Sequence, residues 1–273
     1  MIPLKTRILL FLLFISLDLF SQDFYDHDNS LKFGEYLYNT NQYGLAIREF
    51  ERCVFLKPDD RESFLYLFKI HRKANAFDQA IDCYKRYSGN LDFKKMDTIF
   101  GSEYFKLLIQ NGKFQDAEYF VKENPLFKDD HNLRLSTILL RKDWKGAGKY
   151  ENEINNDVNK SLADITRNGL ALKKKSPVLA GLFSAIVPGT GKVYAGRWKD
   201  GLISFLMTST AAFVSVRGFN KNPKNFFPWA MGTLAVVYYS GNVYGSAQAA
   251  LKHNKYKEDE LVQKTRAFIL GDH

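Results

Sequence analysis

The order of apolar and polar positions along the 273-residue chain changes character twice. Positions 8–20 are almost continuously apolar, broken only by Ser16 and Asp18. From Leu31 to Glu153 apolar residues return every three or four positions, the period of helices that bury one face, and no stretch alternates as a half-buried strand does. Four times in this region an aromatic residue is followed three positions later by Ala: Tyr43/Ala46, Phe77/Ala80, Phe114/Ala117 and Trp144/Ala147. Each aromatic follows a small or polar break (Asn41-Gln42, Asn75-Ala76, Asn111-Gly112, Lys142-Asp143), so the pattern predicts four helix–turn–helix units. Residues 161–175 read as a polar helix ending in Lys173, Lys174 and Lys175. Three charge-free stretches follow, 176–191, 201–216 and 225–251, rich in the small residues that membrane helices use at their contacts.

Charge follows the same division. Residues 22–160 carry 22 basic against 23 acidic residues, whereas residues 161–273 carry 15 against 6, so the net charge of +9 arises in the C-terminal part. That excess flanks apolar runs, which favours an anionic lipid bilayer as partner over nucleic acid. Lys5 and Arg7 before the first apolar run, and Ser21 after it, give residues 1–21 the pattern of a secretory signal peptide. Cys53 and Cys83 fall at non-equivalent positions of neighbouring units and read as buried single thiols.

The first unit resembles the tetratricopeptide repeat. Gly34 stands where the two helices cross, Tyr43 opens the second helix, Ala46 and Phe50 pack, and Pro58 ends it. The second unit keeps Phe77, Ala80 and Tyr84 but puts Phe68 at the small position; the third and fourth keep little beyond the aromatic–Ala pair. The resemblance covers roughly residues 27–155 and implies a solenoid whose concave wall is the first helix of each pair. Carried over to this chain, the groove candidates for a protein or peptide partner are Glu35, Asn39, Lys69, Lys73, Lys106 and Gln110.

A second resemblance covers roughly residues 176–217. The run Pro188-Gly189-Thr190-Gly191-Lys192-Val193-Tyr194-Ala195-Gly196, followed by Asp200-Gly201, looks like the turn of the TM-two domain family, in which a Gly-rich, aromatic turn joins two apolar segments. The resemblance implies membrane residence, with Pro188, Gly189, Gly191, Tyr194, Gly196, Asp200 and Gly201 as the turn motif; it implies no reaction.

The same run imitates a nucleotide-binding loop but fails its requirements. The first Gly position falls on Ile186, and the magnesium-binding hydroxyl position falls on Val193. The five histidines (His27, His71, His131, His253 and His273) show no ligand spacing, and no nucleophile elbow occurs. No catalytic residue, cofactor or metal is expected, and the chain is not expected to be an enzyme.

These readings give an all-α chain, a tetratricopeptide-like helical-hairpin solenoid followed by a small transmembrane helical hairpin domain. The expected layout is signal peptide 1–21, repeats 22–160, polar basic linker helix 161–175, transmembrane domain 176–250 and charged tail helix 251–273. The membrane segments fall at about 176–191, 201–217 and 226–250. The expected function is a membrane-anchored scaffold or adaptor in a bacterial cytoplasmic membrane, its repeats on the exported side, serving envelope assembly or membrane-protein biogenesis. The alternative is a subunit of a small oligomeric transporter or channel, self-associating through the membrane helices. With repeats outside, two spans leave nine cations outside against three inside, opposite to the positive-inside rule, while three balance them six to six. Three spans with a cytoplasmic C-terminus are therefore the expected topology, against a re-entrant first segment.

Overall fold

The computed structural model describes residues 26–154 and 157–271, so the expected signal peptide lies outside the described residues. They form thirteen α-helices and no strand, an all-α architecture built of successive hairpins. The first four pairs are α1 (His27–Asn39) with α2 (Tyr43–Leu56), α3 (Arg61–Lys73) with α4 (Phe77–Ser88), α5 (Thr98–Gln110) with α6 (Phe114–Glu123), and α7 (His131–Leu140) with α8 (Trp144–Glu153).

One local device recurs in all four. The first helix of each pair opens on an Asp whose carboxylate accepts a backbone N–H of the first turn: Asp26 from Asn29, Asp60 from Ser63, Asp97 from Ile99 and Phe100, Asp130 from Leu133. Such caps satisfy N–H groups that the helix itself cannot. Each first helix ends in a left-handed residue: Asn41 (φ 59°), Asn75 (φ 57°), Gly112 (φ 71°) and Lys142 (φ 62°). The next N–H then donates to the carbonyl five residues back, Gln42 to Leu37 at 2.8 Å, Ala76 to His71 at 2.8 Å, Lys113 to Leu108 at 2.9 Å and Asp143 to Ile138 at 3.3 Å. This is the Schellman closure, and it aims the chain directly into the second helix. Ala46, Ala80, Ala117 and Ala147 all have 0% exposure, so each aromatic–Ala pair marks the same close contact between helices.

The chain divides into two compact units between Asp129 and Asp130. In the first, α1 to α6 enclose a core that includes Phe50, Phe64, Phe68, Phe100, Phe105 and Phe120. Gly34 faces the Phe50 ring, where a Cβ would come within 2.8 Å, which is why the small position is small. Cys53 and Cys83 are free and buried, and burial pushes the Cys83 thiol up to about 12.

In the second unit, α7 and α8 pack with α9 (Lys160–Leu170). The remaining helices are α10 (Pro177–Ile186), α11 (Thr190–Tyr194), α12 (Trp198–Lys221) and α13 (Phe226–Leu270). The charge-free half of α13 pairs with α12 and with α10, and α13 also packs on α7 and α9, burying Leu261, Val262, Thr265 and Ile269. Among the described residues, α12 alone is long and apolar enough to cross a membrane.

The expected first segment, 176–191, contains a helix too short to cross a membrane by itself. Its helix, α10, has ten residues, about 15 Å of rise against the ~30 Å of a hydrocarbon core. After Val187 the chain turns back, and the Tyr194 hydroxyl accepts the Ser176 N–H at 3.1 Å, so the end of α11 lies beside the start of α10. Lys175 and Asn254 exchange hydrogen bonds, the Lys175 N–H donating to Asn254 Oδ1 at 2.7 Å and Asn254 Nδ2 donating to the Lys175 carbonyl at 2.8 Å. Lys174 pairs with Glu258 at 2.7 Å and Lys142 with Asp259 at 2.8 Å. The tail therefore lies beside the residues that lead into α10.

Candidate functional site

The first helices of the three hairpins in the first unit, α1, α3 and α5, are packed in sequence, and the six groove candidates lie on them. An aromatic floor holds the centre. Tyr38 meets Tyr66 edge-on at 5.1 Å and Tyr43 at 5.7 Å, and Tyr66 stacks on Phe50 at 4.7 Å. Lys73 Nζ lies 4.6 Å from the Tyr38 ring and donates to the Tyr43 hydroxyl at 3.1 Å; Lys69 Nζ lies 5.1 Å from the Tyr66 ring. Cations over aromatic faces gain from the ring quadrupole. Burial works against the Lys73 charge, but hydrogen bonding to Tyr43 and Tyr38 outweighs it, and its pKa lies above the ordinary lysine value. Glu35 accepts the Tyr66 hydroxyl at 3.2 Å; burial first, and then the Glu35 charge, push Tyr66 up to about 12.

Lys106 belongs to a separate cluster. Its Nζ donates to Glu103 Oε1 at 3.3 Å, while Glu103 Oε2 accepts Arg72 Nε at 2.6 Å, a charge-assisted bond with both side chains largely buried. Gln110 is half-buried at the far end of α5 and Asn39 is exposed at the end of α1. The six candidates thus share one wall, but only Glu35, Lys69 and Lys73 are joined through common partners. The residues that join them, Tyr38, Tyr43 and Tyr66, were not among the candidates; the signal was the shared face of Tyr66, Lys69 and Lys73, spaced three and four apart on α3.

The turn motif of the second unit is one packed structure. Gly189 (φ 92°) approaches α12 so closely that a Cβ would lie 2.0 Å from the Gly201 carbonyl oxygen. Gly191 lies against α10, where a Cβ would come within 1.8 Å of the Ala180 carbonyl oxygen. Its N–H donates to Ser184 Oγ at 2.9 Å, and Ser184 bonds Ser246 of α13 at 2.7 Å, so a buried hydroxyl pair ties three helices. The Tyr194 ring meets Phe183 edge-on at 5.3 Å and carries Lys175 over its face at 4.8 Å. Asp200 pairs with Arg197 at 2.5 Å, Gly196 (φ 86°) reverses the chain before α12, and Pro188 is half-buried.

Exposure around this turn is inverted relative to a water-soluble core. On α12 the buried positions are Gly201, Thr208, Ala211 and Ser215, whereas Leu202, Ile203, Phe205, Leu206, Phe213 and Val216 face outward. Small and hydroxyl residues inside with large apolar residues outside is the arrangement of helices that pack within lipid. No group of three or more His, Cys, Asp or Glu suited to a metal occurs among the described residues. No protein-family model matches the chain, and no curated protein or solved structure matches it.

Proposed function

We propose that this chain is a membrane-anchored scaffold whose hairpin repeats, of tetratricopeptide type, hold a protein or peptide partner beside a bilayer. The observation that carries the reading is the Tyr38–Tyr43–Tyr66 floor with Lys69 and Lys73 over it, a surface that offers stacking and positive charge without an acid–base pair. A partner segment with acidic groups matches it. The anchor in this reading is the TM-two-like turn with α12 as the apolar span, α10–α11 as a re-entrant loop, and the charge-free half of α13, less apolar than α12, crossing as its packed partner; the outward apolar surface of α12 supports this. A bacterial cytoplasmic membrane with the repeats and tail on the exported side suits the pattern of residues 1–21. The nine cations on that side oppose the positive-inside rule, but long domains translocate largely regardless of charge. Envelope assembly or membrane-protein biogenesis is a fitting context. A transporter or channel is the weaker alternative, because residues 201–216 of α12 carry no charge to line an ion path.

Purification of the full chain in gentle detergent tests the proposal. The wild type is expected to retain a stoichiometric partner, and Lys69→Glu is expected to weaken capture about fivefold or more while leaving helicity unchanged. Lys69 is the cleaner probe, because Lys73 and Lys106 also make internal bonds. A homo-oligomer alone, indifferent to Lys69→Glu, sinks the scaffold reading.

A further inference from the structure

Helices α11, α12 and α13 border a cleft of about 510 Å³ beside the turn motif. Three cations, Lys192, Arg197 and Lys252, line it against one carboxylate, Asp200, and that carboxylate is already engaged by Arg197 at 2.5 Å. Among the described residues neither Lys192 nor Lys252 has an acidic partner; the Lys192 ammonium donates to Ser204 Oγ at 2.6 Å, its stem passing beside Gly245. Ser204 is six residues into α12 from Trp198, about 9 Å along the helix axis. An ammonium at that depth in an apolar hairpin is costly without a counter-charge. The Tyr244 hydroxyl lines the same cleft; it accepts Gln248 Nε2 at 3.1 Å and so keeps its own hydrogen to donate.

The cleft is not polar throughout. Ile203 lines it and leads onto the exposed apolar surface of Leu202 and Leu206. An amphipathic anion would use both parts, whereas free phosphate would use only one. We infer that this cleft binds the phosphate of an anionic phospholipid, held by Lys192, Arg197 and Lys252, with the acyl chains along Ile203. The inference rests on the membrane residence proposed above.

The test uses the full chain in detergent, with phosphatidylglycerol and phosphatidylcholine added in turn and bound lipid read by native mass spectrometry. Phosphatidylglycerol is expected to remain bound preferentially. Lys192→Gln and Lys252→Gln should each lower its retention about fivefold, and together about 30-fold, while Lys199→Gln with Lys255→Gln, on the same side but outside the cleft, should lower it less than twofold. Lys252 is exposed, so Lys252→Gln keeps the test sound if the Lys192 variant misfolds. Equal retention of the two lipids, or equal loss in the outside pair, overturns the site. Displacement of the lipid by equimolar inorganic phosphate overturns the lipid assignment. Recovery of the wild type in the wash of carbonate-treated membranes would instead remove the membrane reading itself, so the two failures are distinct.

Discussion

Gly191 and Gly241 are both glycines in the apolar part of the chain, yet they face opposite constraints. At Gly191 a Cβ would press on the backbone oxygen of Ala180, which cannot yield unless α10 and α11 separate; at Gly241 nothing lies within 4 Å. Gly191→Ala is therefore expected to destabilise by about 3 kcal/mol or more, as overpacking against fixed backbone does. Gly241→Ala, in a helix interior with open space, is expected to stabilise by about 0.5–1 kcal/mol. Thermal unfolding of the detergent-solubilised chain compares the two, and a Gly191→Ala protein as stable as wild type would contradict the packing. Both glycines are visible in the sequence, but their difference is not, because the atom that forbids a side chain at 191 comes from residue 180 on another helix.

The first helices of the repeat region open on local caps, and Asp97 separates such a cap from a longer-range ion pair. Its Oδ1 accepts the N–H groups of Ile99 and Phe100 at 2.9 and 3.1 Å, and its carboxylate receives Arg61 in a fork at 2.8 and 3.1 Å. Both ion-pair partners are more than a third exposed, so the fork contributes about 0–1 kcal/mol and the cap about 1 kcal/mol. Asp97→Asn, which keeps the cap, is expected to lose about 0.5 kcal/mol, and Asp97→Ala about 1.5 kcal/mol. Urea unfolding of the full chain checks the order; equal losses would assign the stabilisation to the ion pair instead. Caps at Asp26, Asp60, Asp97 and Asp130 recur at spacings of 34, 37 and 33, a repeat as regular as the aromatic–Ala pairs and equally legible.

At the scale of the whole molecule, the bonds of Lys174 and Lys175 to Glu258 and Asn254 place the tail on the side from which the chain enters α10. With Cys53 and Cys83 replaced by Ala, single cysteines at Lys149 and Gln263, both exposed, are expected to react with a membrane-impermeant thiol reagent from the same side, outside intact cells. A cysteine at Asn225, between α12 and α13, is expected to react only after the membrane is opened. Labelling of Lys149→Cys and Gln263→Cys from opposite sides would restore a topology with the tail across the bilayer from the repeats.

Helix, turn and cap depend on residues within a few positions of one another, so Tyr43/Ala46 and its three counterparts, with Asn41, Asn75 and Gly112 before them, announce hairpins in the sequence alone. The same holds for the apolarity of α12, a property of one continuous run. Long-range pairing decides the rest. Glu35 and Lys73 meet around Tyr38, Tyr43 and Tyr66 only because α1 and α3 pack side by side. The stretch 176–191, charge-free throughout, turns back because Gly189 and Gly191 let it close on Gly201 and Ala180. Lys175 and Asn254, 79 residues apart, bring the tail beside the chain that enters α10. Apolar content measures how much surface must leave water; where the chain folds back to bury it depends on contacts between residues far apart in the chain.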